Sequence, residues 1–329
     1  MKEDTLAELA KKLNISKSTV SKAVRHCSGV DSDTRQLILE SIPKGAGAEQ
    51  PFSVYTILPD VPQYFWKEMQ RGLMDGGNQQ IAPVKHNIYT RCGDESTVLD
   101  YLSEAEKMDI RVLILATYVT PEIRRRLENF PEKCMILLLS EHFERRNAFY
   151  IGADAYGDGR KMGEAYLSTF GDRKLLYFNV LSNENAKKRT EGFLDVIREK
   201  CPGTLCESKS LDIENKIFRD LKMLSSRLAS LLSSELDKDS RYCLYSPVGM
   251  IKLPIAIKKA ALEERVVCIC HDCFTEQMQV PEGFAVCCNQ DVYAQGYAAA
   301  KAALEYAVSL RFPKEKNLFI PSRIDRQQE

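Results

Sequence analysis

From residue 52 onward the chain alternates between two hydrophobic periods, and this restricts its fold more than any other feature. Short runs rich in Val, Ile, Leu, Phe and Tyr fall at 52–58, 84–89, 112–116, 135–139, 149–152, 174–180, 242–246, 266–270 and 284–289. Most are separated by amphipathic stretches of about 10–20 residues, long enough for a helix. A strand reaches a parallel neighbour only through a crossover, and crossover helices cover both faces of the sheet. The pattern therefore predicts parallel α/β sheets flanked by helices. Residues 52–329 are too many for one such sheet, which predicts two lobes. Ligands of open parallel sheets sit beyond the carboxyl ends of the strands, so two facing lobes share one cleft.

Residues 1–42 carry a helical pattern instead. Thr5, with Glu8 three positions later, has capping-box spacing, and Leu6, Leu9, Ala10 and Leu13 then form an amphipathic stripe. Asn14 and Ile15 break it, and Ser16 is placed to cap a second helix running to about Arg25. On that helix Val20, Ala23 and Val24 share one face, while Lys17, Ser18, Ser21 and Lys22 share the opposite one. After a loop around Cys27-Ser28-Gly29, Asp31 or Ser32 caps a third helix whose inner face uses Leu37, Ile38 and Ile42. Two short helices joined by a turn, with small and basic residues outward on the second, describe a helix-turn-helix. Short side chains let the backbone approach the major groove, and lysines neutralise phosphates. By spacing alone a small structural bundle fits as well. Residues 43–51, with two Gly, two Pro and no bulky apolar side chain, read as a linker.

Charge supports a polyanion partner only locally. The chain has 46 basic and 46 acidic side chains, yet 9–30 lacks Asp and Glu and carries Lys11, Lys12, Lys17, Lys22 and Arg25. A solvated helix face explains the same residues. The 329 residues suggest two or three domains. No run approaches the roughly 18–20 apolar residues needed to span a bilayer, and the first residues lack the apolar core of a signal peptide. Eleven cysteines without secretion read as reduced thiols. The expectation is a cytoplasmic protein with no membrane partner.

Cys268, Cys270, His271 and Cys273, with Cys287 and Cys288 beyond, have the residue types of a zinc site. The competing reading places Cys268 and Cys270 in a buried strand as small hydrophobes, and no second C-x-x-C matches the first. No Walker motif, G-x-S-x-G, G-x-G-x-x-G after a strand or H-E-x-x-H is present, and His26, His86, His142 and His271 form no visible triad. The expectation is a protein that is not an enzyme, with no cofactor and no resident metal.

Several segments resemble the lac-repressor-type (LacI/GalR) bacterial regulators. Thr5-Leu6-Ala7-Glu8-Leu9-Ala10, then Ile15 to Lys22, then Thr34-Arg35 are similar to that family's DNA-binding head. Leu58-Pro59-Asp60 with Tyr64-Phe65, Ile151-Gly152-Ala153-Asp154 with Gly159, Arg189 to Phe193, His271-Asp272, and Gln290-Asp291 with Gly296 continue the resemblance in order. It implies a helix-turn-helix head (1–42), the linker (43–51) and a two-lobed, periplasmic-binding-protein-like effector domain (52–329). Three crossings between lobes are implied, with lobe one at about 52–155 and 291–313, and lobe two at about 156–290 and 314–329. It also implies a homodimer on a double-stranded DNA operator, formed through the helix near Phe65, with a small-molecule effector in the cleft.

Residue by residue, Lys17 and Ser18 match positions that read base edges. Thr19, Ser21 and Lys22 match backbone or base contacts, and Thr5 and Thr34 match phosphate contacts. Tyr64 and Phe65 match aromatics that line the ligand, Arg189 the arginine that grips hydroxyls or carboxylates, and Asp272 an acceptor on the opposite wall. Gln290 lies at a lobe crossing, and Asp158 matches a cleft carboxylate of some members. The single tryptophan, Trp66, adjoins these aromatics and is expected to report ligand by fluorescence.

The chain also departs from the family pattern. No hinge-helix sequence follows Ile42, Lys22 stands where arginine is usual, Pro247-Val248 replaces an Asn-Asp pair, and Cys273 replaces an aspartate. The last two favour a ligand other than the common sugar. They leave a second reading open, a sensor or solute-binding protein whose head does not bind DNA specifically.

Overall fold

The computed structural model describes residues 3–24, 30–31, 34, 37–38, 41, 54–59, 64–78, 84–89, 95–108, 110–117, 119–139, 141–180, 183–206, 208–213, 221–273 and 280–327. The expected linker at 43–51, and Arg25, the 27–29 loop, Ser32 and Ile42, lie outside them. The strands are β1 (Val54–Pro59), β2 (Val84–Tyr89), β3 (Val112–Leu115), β4 (Met135–Leu138), β5 (Ala148–Gly152), β6 (Lys174–Val180), β7 (Lys209–Ile213), β8 (Tyr242–Ser246), β9 (Val266–His271), β10 (Val286–Asn289), β11 (Asn317–Phe319) and β12 (Arg323–Arg326). The helices are α1 (Glu3–Leu13), α2 (Lys17–Val24), α3 (Tyr64–Asn78), α4 (Glu95–Lys107), α5 (Pro121–Glu128), α6 (Ala155–Phe170), α7 (Glu184–Lys200), α8 (Pro202–Cys206), α9 (Leu221–Glu235), α10 (Leu253–Lys259) and α11 (Val292–Ser309).

Both expected sheets form, in the orders β11-β5-β4-β3-β1-β2 and β12-β10-β9-β8-β6-β7. Their parallel cores share the doubly wound order in which the second strand lies outside the first. Such an order opens a crevice at the carboxyl ends, between β1 and β3 in one lobe and between β6 and β8 in the other.

Strand alternation builds a core on each face. In the first lobe Val54 and Leu58 pack with Met69 and Leu73 of α3 and Ala299, Ala300 and Ala303 of α11. Tyr55 and Ile57 turn the other way, onto Val98 and Leu102 of α4 and Ile123 and Leu127 of α5. In the second lobe Leu176 and Phe178 meet Leu228 and Leu232 of α9, while Leu175 meets Met162 and Tyr166 of α6 and Phe193 of α7. No helix among the described residues is long and apolar enough to cross a membrane.

Three strands lack a signature in the sequence. β7 mixes Lys209, Ser210 and Asp212 with its apolar residues, β11 is three residues long and fully exposed, and β12 is largely charged. The reading that gives 314–329 to the second lobe is corrected here. β11 pairs with β5 of the first sheet, and only β12, antiparallel to β10, joins the second. The third crossing therefore lies between Phe319 and Arg323. An edge strand needs no buried face, so nothing in its residues announces which sheet it joins.

At the N-terminus two expectations change. α1 begins at Glu3, so Thr5 lies inside its first turn and is not the cap. Leu37 is 54% exposed, while Ile38 is fully buried with Leu9, Ala10, Val20 and Ala23, because adjacent helical residues point about 100° apart. The other expected features form. The Oγ of Ser16 accepts the Thr19 N–H at 2.9 Å as a cap, Asn14 takes the turn at φ 52°, and the Oδ1 of Asp31 accepts the Thr34 N–H at 2.9 Å.

Candidate ligand cleft

The second-lobe wall starts at the N-terminus of α7. The side chain of Asn183 accepts the Ala186 N–H at 2.8 Å and fixes the first turn. One turn further on, Arg189 points inward, only 4% exposed, because Gly159 of α6 lies directly against its backbone carbonyl and leaves no room for a side chain. The guanidinium Nη1 of Arg189 donates to the Pro247 carbonyl at 3.0 Å and pairs with Asp272 at 2.9 Å. Asp272 sits just past β9 in the left-handed region at φ 53°.

Gln290 completes the group. Its side-chain amide donates to the Oδ2 of Asp272 at 2.8 Å, and Gln295 donates to the Oε1 of Gln290 at 3.1 Å. Three of the expected ligand residues, Arg189, Asp272 and Gln290, thus converge where the second crossing leaves β10. Burial is the largest single influence and lowers the basicity of the guanidinium, but Asp272 first, with Cys288 and Tyr245, together raise it, and Arg189 stays charged. Among the described residues no hydrogen-bond partner reaches its Nε.

Beneath this group the Oη of Tyr245 meets the Nε2 of His271 at 3.0 Å, and the Tyr245 ring stacks on Phe193 at 3.9 Å. Burial first, then Arg189 and Lys161, hold His271 well below the ordinary histidine range, so it is neutral at pH 7. His271 lies on the opposite face of β9 from Cys268 and Cys270, as strand alternation requires. His271 and Cys288 therefore stand apart from the thiols of Cys268, Cys270, Cys273 and Cys287, which share one core. Among the described residues no three His, Cys, Asp or Glu side chains could hold a metal ion.

Asp158, expected with the ligand residues, is committed elsewhere. It is 1% exposed, pairs with Lys161 at 2.9 Å through one oxygen and accepts the Ser322 hydroxyl through the other. It fastens α6 to the third crossing. Tyr64 and Phe65 open α3 half-buried, with Phe65 edge-on to Trp66 at 4.9 Å and both rings packed on the first-lobe core. They are not part of the Arg189–Asp272–Gln290 group.

The first-lobe wall holds residues the sequence reading missed. Glu141, just past β4, is 8% exposed and accepts the Val119 N–H at 2.8 Å. Burial raises its carboxyl above the usual range, against that hydrogen bond, and Glu184, Arg124 and Lys187 lie within electrostatic reach. His142 stacks on Tyr150 at 3.9 Å, and the Tyr150 hydroxyl, bonded to the Ala153 carbonyl at 3.0 Å, also meets Asn185 of α7. A carboxylate at the carboxyl end of a predicted parallel strand is the signal that could have found Glu141.

On α2, Lys17, Ser18 and Lys22 are exposed and Thr19 and Ser21 are half-buried, opposite the buried Val20 and Ala23. Ser18 shares a hydrogen bond with Ser16 at 2.7 Å, and Thr34 is half-buried. Thr5 lies in α1, and its side chain is outside the described residues.

Comparison with known proteins supports the two-lobed architecture. No protein-family model matches the chain. It is 19% identical over 280 residues to the NTD biosynthesis operon regulator NtdR of Bacillus subtilis (strain 168), covering 80% of this chain and 84% of that protein. GanP, a glucose-galactose binding protein from Geobacillus stearothermophilus, superposes with a TM-score of 0.69 at 15% identity, covering 83% of this chain and 97% of that one. A candidate LacI transcriptional regulator from Bacteroides fragilis superposes with a TM-score of 0.65 at 11% identity, over 83% and 96%. The chain has the periplasmic-binding-protein-like α/β fold.

Proposed function

We propose that the protein is a cytoplasmic, ligand-responsive DNA-binding transcriptional regulator of the lac-repressor type, and not an enzyme. In this reading α1 and α2 form a helix-turn-helix, and a small polar, sugar-like molecule in the cleft controls its DNA affinity. The observation that carries the reading is the face of α2. Lys17, Ser18 and Lys22 point to solvent from a helix whose Val20 and Ala23 are buried, the arrangement a major-groove helix needs. A relative named as an operon regulator supports it. Lys17 and Ser18 read bases, Thr19, Ser21 and Lys22 hold the edge of the groove, and Thr5 and Thr34 meet phosphates. One small head contacts little DNA, so the protein acts as a homodimer joined along α3.

The effector is held by Arg189, Asp272 and Gln290 from one lobe and by Glu141 with the α3 aromatics from the other. Asp158 takes part through the crossing it fastens to α6. The second reading, a sensor or solute-binding protein without specific DNA binding, is favoured by the likeness to sugar-binding proteins. Selection of bound genomic fragments at about 0.1 M salt, where non-specific phosphate binding is moderated, separates the two. The regulator reading expects a two-fold symmetric site that a Lys17→Ala/Ser18→Ala double variant fails to enrich. No enrichment, with or without a sugar panel, supports the sensor.

A further inference from the structure

The two walls of the cleft satisfy their charges differently. On the second-lobe wall Arg189 and Asp272 neutralise each other at 2.9 Å. On the first-lobe wall Glu141 is 8% exposed, and only the Val119 N–H donates to it, to Oε2 at 2.8 Å, among the described residues. There no Lys, Arg or His lies within ion-pair distance of the carboxylate, and nothing donates to Oε1. Val119 and Glu141 follow the carboxyl ends of the neighbouring strands β3 and β4, which places the carboxylate on the cleft side of the sheet.

The charges nearby are engaged elsewhere. Glu184 and Lys187 pair with each other at 2.7 Å, and Arg124 lies over the Phe143 ring, 5.4 Å from its centroid. Burial first, then Lys188, hold His142 below the ordinary histidine range, so it brings no charge at pH 7. A carboxylate this buried, with one hydrogen bond and no cation, is costly to keep ionised unless a bound group supplies the missing charge.

We infer that the effector is an amino sugar whose protonated amine is received by Glu141. This deepens the reading of the cleft given above and rests on it. An ammonium at Oε1 balances the first-lobe wall and donates a hydrogen bond in which both partners are charged, which a neutral hydroxyl does not. The hydroxyls of the same molecule meet the Arg189, Asp272 and Gln290 group on the other wall. An acidic ligand is disfavoured, because it meets the like charge of Glu141 and an arginine that is already paired.

The test is calorimetric titration of the full chain at pH 7 with aminohexoses that differ in which carbon bears the amine. Each is run beside its parent hexose and its N-acetyl derivative. At least one aminohexose is expected to bind about 10-fold or more tightly than both neutral counterparts. Glu141→Gln, which keeps an acceptor for the Val119 N–H, is expected to bring that ratio within about 2-fold. The wild-type ratio decides the matter even where the variant fails to fold. If every hexose that binds does so as tightly as its aminohexose, or if the preference survives Glu141→Gln, the inference is overturned and the cleft reading stands. Binding by no member of the panel overturns the amine and the sugar-like effector together.

Discussion

The two lobes share a strand order and differ in what they bury. The first-lobe core is almost wholly aliphatic and aromatic, closed by the alanines of α11. The second buries Cys243, Cys268, Cys270, Cys287 and Cys288 in its strands, and a neutral histidine and an arginine–aspartate pair near its cleft edge. A shared scaffold thus carries unequal chemistry. The first lobe places Glu141, His142 and Tyr150 at its strand ends, and the second places the Arg189–Asp272 pair there.

Breaking the buried pair is expected to have the largest effect on this contrast. Arg189→Ala leaves the largely buried Asp272 carboxylate with the hydrogen bonds from Gln290, and is expected to cost about 4 kcal/mol in urea unfolding. Arg189→Met, which keeps the bulk, recovers part of that loss only if the penalty is not purely electrostatic. A cost below about 1 kcal/mol for the alanine variant would mean the pair is solvated and the second lobe no more polar inside than the first. Next comes the core itself. Leu137→Ala in β4 is expected to cost about 3 kcal/mol, whereas Cys268→Ala in β9 removes one small apolar group and costs about 1 kcal/mol. Equal costs would erase the distinction between the two cores.

The strands were legible in the sequence where both faces are buried. The runs at β3, β4, β8 and β9 are continuous apolar segments, as strands covered on both sides must be. β7, β11 and β12 were not, because edge strands are exempt from that rule. That Arg189, Asp272 and Gln290 come together was legible because each stands in a recognisable motif just beyond the carboxyl end of a strand. The contact of Asp158 with Ser322 was not legible, because a carboxylate in the first turn of a helix spells the same whether it faces a ligand or a crossing segment. Its partner Ser322 lies 164 residues away and could not be read locally.

The smallest effect is in pH. His271 is depressed in the fold, so below about pH 6.5 the unfolded chain binds a proton that the folded chain refuses. Stability then falls as pH falls, by at most about 1.4 kcal/mol per pH unit for each such histidine. His142, depressed by burial and Lys188, adds the same sign from the first lobe, while the raised carboxyl of Glu141 works in the opposite sense. Urea midpoints between pH 7 and pH 5.5 are expected to drop less steeply in His271→Gln than in the wild type. Parallel slopes would place a charged histidine in the second-lobe core.

The central claim is that occupancy of the cleft changes DNA affinity. The most direct measurement takes the fragment enriched by the wild type and a sugar that raises the melting temperature, then titrates DNA by anisotropy with and without that sugar. A coupling in the usual allosteric range predicts a change in Kd of about 5-fold or more, absent in Arg189→Met. A sugar that stabilises the protein yet leaves the DNA Kd unchanged within about 2-fold would contradict the claim.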